Sequence, residues 1–351
     1  MYENFYKLSG MPFQLTPDSR FFFGSKGHSK AIAHLNYGLA QGEGFIIITG
    51  EVGAGKTTLV EWLRSQMDPA IYTIARVSTT QVSENDLFRL AMAGFGLTEE
   101  GLSKAALLHR FEDVLRQHQA AGQRCLLIVD EAQNLSLGAL EELRMLSNIT
   151  VDGRTSLQTV LLGQPQFRRM LATPNLDQLR QRVLTSYHLG PLSHEETRGY
   201  IEHRLHAVGW AGDPRWDDAA FAAVFAHTGG IPRRINRLCS RVLLYGVLEE
   251  THDITGPVVD ATAEELAQDL EGMKSEGNGA AAPAGMAVHS DATTSMSADH
   301  HDHAVAAHAV SAHAVSAMTT ELLGRVETLE RQMALREQVF RRLTQMLGVR
   351  E

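Results

Sequence analysis

Residues 45–66 read FIIITGEVGAGKTTLVEWLRSQ, and this stretch decides the fold. Phe45 to Thr49 is a run rich in β-branched residues, too short for a helix and typical of a strand buried on both faces. Gly50 to Thr57, GEVGAGKT, then match the pattern G-x-x-x-x-G-K-[ST]. Glycines let backbone N–H groups curl around a phosphate with no Cβ in the way, and the helix that follows points its positive end at the same anion. Gly50, Glu51, Val52, Gly53, Ala54 and Gly55 are therefore expected to wrap phosphate, and Thr58 belongs to the first turn behind them. Lys56 supplies a mobile cation for the β- and γ-phosphates, and the Thr57 hydroxyl a ligand for Mg²⁺. A glycine loop by itself arises by chance. One that directly follows a strand and opens a helix has the context that ATP binding needs.

Outward from this loop, strands alternate with helices. HSKAIAHLNYGLAQGEG, before it, has apolar residues at helical spacing and ends in glycines that suit a helix C-terminus. After it come IYTIARVS as a second strand, two helical stretches (ENDLFRLAMAGFG and KAALLHRFEDVLRQHQAAG), then CLLIVD and LQTVLLG as the third and fourth strands. That alternation predicts an α/β fold, a parallel sheet with helices on both faces. The third strand ends in Asp130 and Glu131, about 75 residues after the loop, which puts two carboxylates at the edge of the sheet where the loop lies. Asp130 is expected to hold Mg²⁺, directly or through water, and Glu131 to orient and deprotonate the attacking water.

Beyond residues 191–196 (PLSHEE) the strand signals stop, and residues 193–270 read as several helices, with Gly229, Gly230 and Pro232 marking one junction. This divides the chain into an ATPase domain at 1–190, which includes an irregular lead-in, and a helical lid at 191–271. From 272 to 318 the composition turns to Ala, Gly, Ser and His, with few large apolar residues to offset ordering entropy, so a disordered linker is expected. His300, His301 and His303 lie in it, and a site on such a tether lacks the fixed geometry of a metal centre. The last segment, 319–349, carries Leu322, Val326, Leu329, Met333, Arg336, Phe340, Leu343 and Leu347 at alternating spacings of four and three. That is the seam of an amphipathic or coiled-coil helix.

Composition narrows the function classes. The formal net charge is −9, from 32 Lys and Arg against 41 Asp and Glu, which disfavours a broad nucleic-acid footprint. Cys125 and Cys239 are the two cysteines, and both read as small buried hydrophobes of a reducing compartment. The chain shows neither a leader pattern nor a stretch of the ~20 apolar residues needed to cross a bilayer. Residence in the cytoplasm is expected, with any place at the inner membrane provided by a partner.

GEVGAGKTT, DEAQNL, VLLGQPQFRRML, LRQRV and GGIPRRINRLC, taken in this order with the lead-in MPFQLTPDSRFFFGSKGH, resemble the general secretion pathway protein A family of AAA+ ATPases. They are most similar to the subgroup of secretion ATPases encoded beside exosortase and exopolysaccharide genes. The resemblance covers about residues 1–268. It implies further roles: Gln164 in the polar sensor position after the fourth strand, Arg180 or Arg182 as an arginine finger reaching a neighbouring subunit's nucleotide, and Arg233 as a phosphate contact from the lid. Secretion-pathway members of the family often continue into a membrane anchor and a peptidoglycan-binding region, and no such segment is visible here.

Three readings compete, the third being a binding module, a nucleotide-operated scaffold with little turnover. In the first, ATP closes the lid and joins subunits into a homo-oligomer that regulates or energises a membrane-bound secretion or polysaccharide-export partner. In the second, the chain is a DNA-dependent ATPase resembling the transposition regulators, which share the DEAQ strand end. The acidic balance and the lack of a basic tail count against the second.

Overall fold

A computed structural model describes residues 2–16, 18–78, 84–97, 101–151 and 153–277. Of the linker expected at 272–318 and the heptad segment expected at 319–349, all residues from 278 onward lie outside the described residues. Five strands form one sheet: β1 (Phe45–Gly50), β2 (Tyr72–Ser78), β3 (Arg124–Asp130), β4 (Leu157–Gly163) and β5 (Val183–Leu189). They lie in the order β2-β3-β4-β1-β5 and every pair is parallel. The strand order changes direction at β1. In an open α/β sheet that change places the ligand crevice at the strand's carboxyl end, which is where the phosphate loop begins.

The apolar runs can be read continuously because each strand feeds two cores. Phe45 and Ile47 of β1, Leu127 and Val129 of β3, and Leu161 of β4 pack on one face. They meet α3 (Glu84–Gly94), α4 (Lys104–Ala120), α5 (Leu137–Leu146) and α6 (Pro165–Leu171). Ile46, Ile48, Leu126, Ile128, Val160 and Leu162 pack on the other face, against α1 (Lys26–Gln41) and α2 (Lys56–Gln66). A two-residue side-chain period on a strand covered on both sides gives this division. Each such side chain, fully buried, contributes about 1.5–3 kcal/mol.

The lid consists of α7 (His194–His206), α8 (Asp218–Thr228), α9 (Pro232–Leu248) and α10 (Gly256–Gly277). α10 runs past the 271/272 boundary that composition suggested. Arg215–Trp216 and Asp253–Ile254 also pair as two-residue strands inside the lid, a bridge too short to leave a periodic signal. The lead-in departs further from expectation. Contiguity in the chain places it with the ATPase domain, yet Tyr2, Tyr6, Leu8, Phe13 and Phe21 are buried in the core of the lid. The Tyr6 hydroxyl donates to Thr251 O at 3.0 Å, and Ser9 N–H to Val208 O at 2.9 Å. Apolar side chains, and not chain order, choose the core they join.

Both cysteines are buried free thiols, Cys125 on β3 and Cys239 on α9, as their apolar contexts predict. Burial pushes the Cys125 thiol up to about 12. Among the described residues no helix is long and apolar enough to cross a membrane.

Candidate active site

Most of the long helices open on a side-chain cap. Ser25, Ser103, Ser136, Ser193 and Asp217 each accept a hydrogen bond from the first turn of the helix that follows. α2 opens on Gly55, which has no side chain to do this. An anion bound at the phosphate loop would do the work of a cap for the donors of its first turn.

A cavity of about 360 Å³ lies over this loop. Val52, Gly53, Gly55, Lys56, Thr57, Thr58 and Glu131 line its floor. Gly50, Glu51 and Ala54 support the loop from behind. Lys56 Nζ donates to Gly50 O at 2.8 Å and to Glu51 O at 3.1 Å, and Ala54 N–H to Glu51 O at 3.1 Å. Gly53 and Gly55 have φ of 82° and 98°, which side chains rarely tolerate. A Cβ on Gly53 would sit 2.3 Å from Arg233 Cβ, and one on Gly55 would sit 2.9 Å from His28 Nε2. The glycines therefore admit the lid and α1 as well as phosphate.

Asp130 ends β3 behind Thr57, whose hydroxyl donates to Asp130 Oδ2 at 2.9 Å. Asp130 Oδ1 accepts the N–H of Glu131 at 3.0 Å. One hydroxyl and one buried carboxylate, adjoining a lysine and a glycine cradle, form a hard oxygen donor set that suits Mg²⁺ together with phosphate oxygens.

Glu131 sits at φ 55° just past the strand, a conformation that turns its side chain toward the cavity floor. Two amides meet it: Gln133 Nε2 at 2.5 Å and Gln164 Nε2 at 3.0 Å, both on Oε2. Gln133 Oε1 in turn accepts the backbone N–H of Gln164 at 2.9 Å. Burial pushes the Glu131 carboxyl up, but the two amide donors and the Lys56 charge outweigh it, and its pKa falls below the ordinary value. Burial likewise pulls Lys56 down, against the charges of Glu131, Asp130 and Glu51. The carboxylate is thus held ionised, the form that can accept a water proton, though with less basicity than a free glutamate.

The lid covers the cavity from the other side. Arg233 lies in the first turn of α9, and its N–H donates to Gly53 O at 3.2 Å, so lid and loop touch directly. Tyr200, Arg204 and Asn236 form a buried chain at the lid wall. Arg204 Nη1 donates to the Tyr200 hydroxyl at 2.9 Å, which donates to Asn236 Oδ1 at 2.9 Å. Arg204 also holds the lead-in backbone, through Pro12 O and through Gln14 O at 3.1 Å, and its guanidinium lies 4.4 Å from the Phe21 ring centre. The lead-in itself, with Gln14, Thr16 and Phe22 among its residues, closes the remaining side.

Arg180 and Arg182 are not brought to this cavity. Arg182 precedes β5 and donates to Ser147 O at 3.3 Å, while Arg180 pairs with Asp177 at 2.8 Å. The loop begins at the carboxyl end of β1, and Arg182 O meets the opposite end at Phe45 N. A six-residue strand spans roughly 18 Å. Neither arginine lines the cavity over this chain's own phosphate loop.

Several residues at the site escape a motif reading. Gln133 lies inside DEAQNL without a motif role of its own. His28, buried beside Gly55, has Nδ1 on Ser25 Oγ at 2.8 Å, and burial holds its pKa down at about 4 despite the nearby Glu196 charge. Arg76 bonds Asp130 Oδ2 at 3.0 Å, and its only sequence signal is one charge within the apolar strand YTIARVS.

Residues 39–171 match the AAA domain family. Over 281 residues the chain is 39% identical to general secretion pathway protein A of Aeromonas hydrophila, covering 79% of this chain and 50% of that protein. The chain thus spans about half of that relative's length. Among solved structures it is similar to the ORC2 protein of Aeropyrum pernix in its ADP form, with TM-score 0.55, 17% identity and 72% of each chain covered. Cdc6p from Pyrobaculum aerophilum gives a TM-score of 0.54 at 16% identity, with 71% of each chain covered. At such low identity these two likenesses carry the fold alone. With 79% of its length aligned to the secretion protein, and its phosphate loop inside the matched AAA domain, the chain is an AAA+ P-loop protein of the general secretion pathway protein A type.

Proposed function

We propose that this chain binds ATP with Mg²⁺, hydrolyses it to ADP and phosphate, and through this cycle assembles with copies of itself to regulate or energise an envelope secretion or exopolysaccharide-export system. The observation that carries the catalytic part is the grouping of Glu131, Gln164 and Gln133 beside Lys56 and the Thr57–Asp130 pair.

In this reading Thr57 and Asp130 hold Mg²⁺, which supplies charge neutralisation at the phosphate oxygens. The first-turn N–H groups of α2 and the Lys56 ammonium bind the phosphate chain. Glu131 accepts the proton of the attacking water, and Gln164 fixes the carboxylate's direction while remaining close enough to sense the reacting group. Arg233 couples phosphate binding to the lid. Arg182 or Arg180 acts on a neighbouring copy, so turnover depends on assembly. The secretion relative's name supports the cellular role.

The test uses a Glu131→Gln trap loaded with ATP to capture partners from nuclease-treated, detergent-solubilised cells, alongside DNA titration of wild-type hydrolysis. Recovery of inner-membrane export or polysaccharide proteins, without DNA stimulation, supports the proposal. Salt-sensitive stimulation by DNA, with no membrane partner, replaces it with a DNA-handling ATPase.

A further inference from the structure

Arg76 lies on β2, an edge strand of the sheet, and projects on the face that carries α2. Its guanidinium is divided between two carboxylates. Nη1 bonds Glu61 Oε1 on α2, and Nη2 bonds Asp130 Oδ2 at 3.0 Å. The Asp130 oxygen is the one that also accepts the Thr57 hydroxyl. The Asp130 side chain is 6% exposed, Glu61 24% and Arg76 32%.

A buried carboxylate with no cation is costly, and a guanidinium on the same oxygen meets that cost. A divalent cation seated between Thr57 and Asp130 would then lie close to a positive charge bonded to the same atom, and the two repel. Glu61 gives Arg76 a second carboxylate anchor on α2, so the arginine can leave Asp130 without losing a carboxylate partner.

We propose that Arg76 is a placeholder cation for the metal position. It neutralises Asp130 when the site holds no metal, competes with Mg²⁺ for Oδ2, and shifts onto Glu61 when Mg²⁺·nucleotide binds. Arg76 thereby sets the Mg²⁺ concentration at which the nucleotide complex forms. This rests on the assignment of Thr57 and Asp130 as metal ligands made above.

The experiment titrates MgCl₂ into the full chain with a fluorescent, non-hydrolysable ATP analogue and reads bound fluorescence, so turnover plays no part. Arg76→Gln is expected to lower the half-saturating Mg²⁺ concentration about tenfold. Arg76→Lys, which keeps the charge, stays close to wild type. Glu61→Gln removes the alternative anchor, binds Arg76 more firmly to Asp130 and moves the midpoint upward, giving a second readout if Arg76→Gln folds poorly. An unchanged or raised midpoint in folded Arg76→Gln, or a lowered one in Glu61→Gln, overturns the placeholder role. Asp130→Asn is the control for the underlying assignment. If it leaves the midpoint untouched, Asp130 is not a metal ligand, and the failure lies there and not with Arg76.

Discussion

The floor and the roof of the nucleotide cavity are built in opposite ways. The floor comes from two short stretches, residues 50–58 and 130–131, whose chemistry is set by adjacent residues at the carboxyl ends of two parallel strands, β1 and β3, with β4 between them. The roof gathers Gln14, Phe22, His28, Tyr200, Arg204, Arg233 and Asn236 from three distant parts of the chain. A short motif suffices where main-chain donors do the binding, because a turn is a local structure. A wall of side chains from separate elements requires the lid and the lead-in to share a core. The difference separates chemistry, lodged in the floor, from coupling, lodged in the roof, and mutations divide the same way.

The largest effect is expected at the floor. Glu131→Gln should lower kcat by about 10³-fold while leaving ATP affinity within a few-fold of wild type. Single-turnover hydrolysis beside equilibrium nucleotide binding reads both, and undiminished turnover removes Glu131 as the base. At the roof, Arg204→Ala should cost the folded state about 3 kcal/mol in urea denaturation, since it severs two polar contacts and an aromatic one that tie lead-in to lid, and a further polar contact to Tyr200 inside the lid. A loss below about 1 kcal/mol would show that the lead-in is held by its apolar side chains alone.

Returning to the floor, Lys56→Ala should weaken ATP binding by about 10²-fold with the fold intact. Calorimetry measures it, and retained tight binding would break the assignment of the loop lysine. The smallest effect belongs to His28 at the junction of the two regions. Its folded pKa, about 4, lies below the ordinary 6.5, so the unfolded chain takes up the proton first as pH falls. Stability is full above pH 6.5 and drains between there and pH 4, with roughly 2 kcal/mol lost on going from pH 7.5 to 5. His28→Gln should flatten that part of the pH dependence. Parallel curves for wild type and variant would mean that another group takes up the proton.

Legibility in the sequence follows the same line. β1, β3 and β4 and the order of helices between them are readable because a doubly covered strand is apolar nearly throughout and a covered helix is apolar on one side, while the edge strand β2 shows through its β-branched residues alone. The family resemblance rested on ordered motifs and agrees with the sheet, the AAA match and the secretion relative. The placement of the lead-in was not readable. Tyr2, Tyr6 and Phe13 are apolar in either setting, and nothing in their spacing says which core receives them. Gln164 carried a family role toward phosphate or water, while its partner in the structure, Glu131 Oε2, depends on how β3 and β4 lie side by side.

By itself the sequence determined the phosphate loop, the acidic strand end and the α/β class, because each depends on bonded neighbours or on a repeat of two or 3.6 residues. The tertiary structure alone decided that Arg76 shares an oxygen with Thr57, that Gln133 and Gln164 converge on one carboxylate, and that Arg204 ties the lead-in to the lid. Those are contacts between side chains remote in the chain, fixed by strand order and by which apolar faces bury together, and the free energy that selects them is a property of the packed whole.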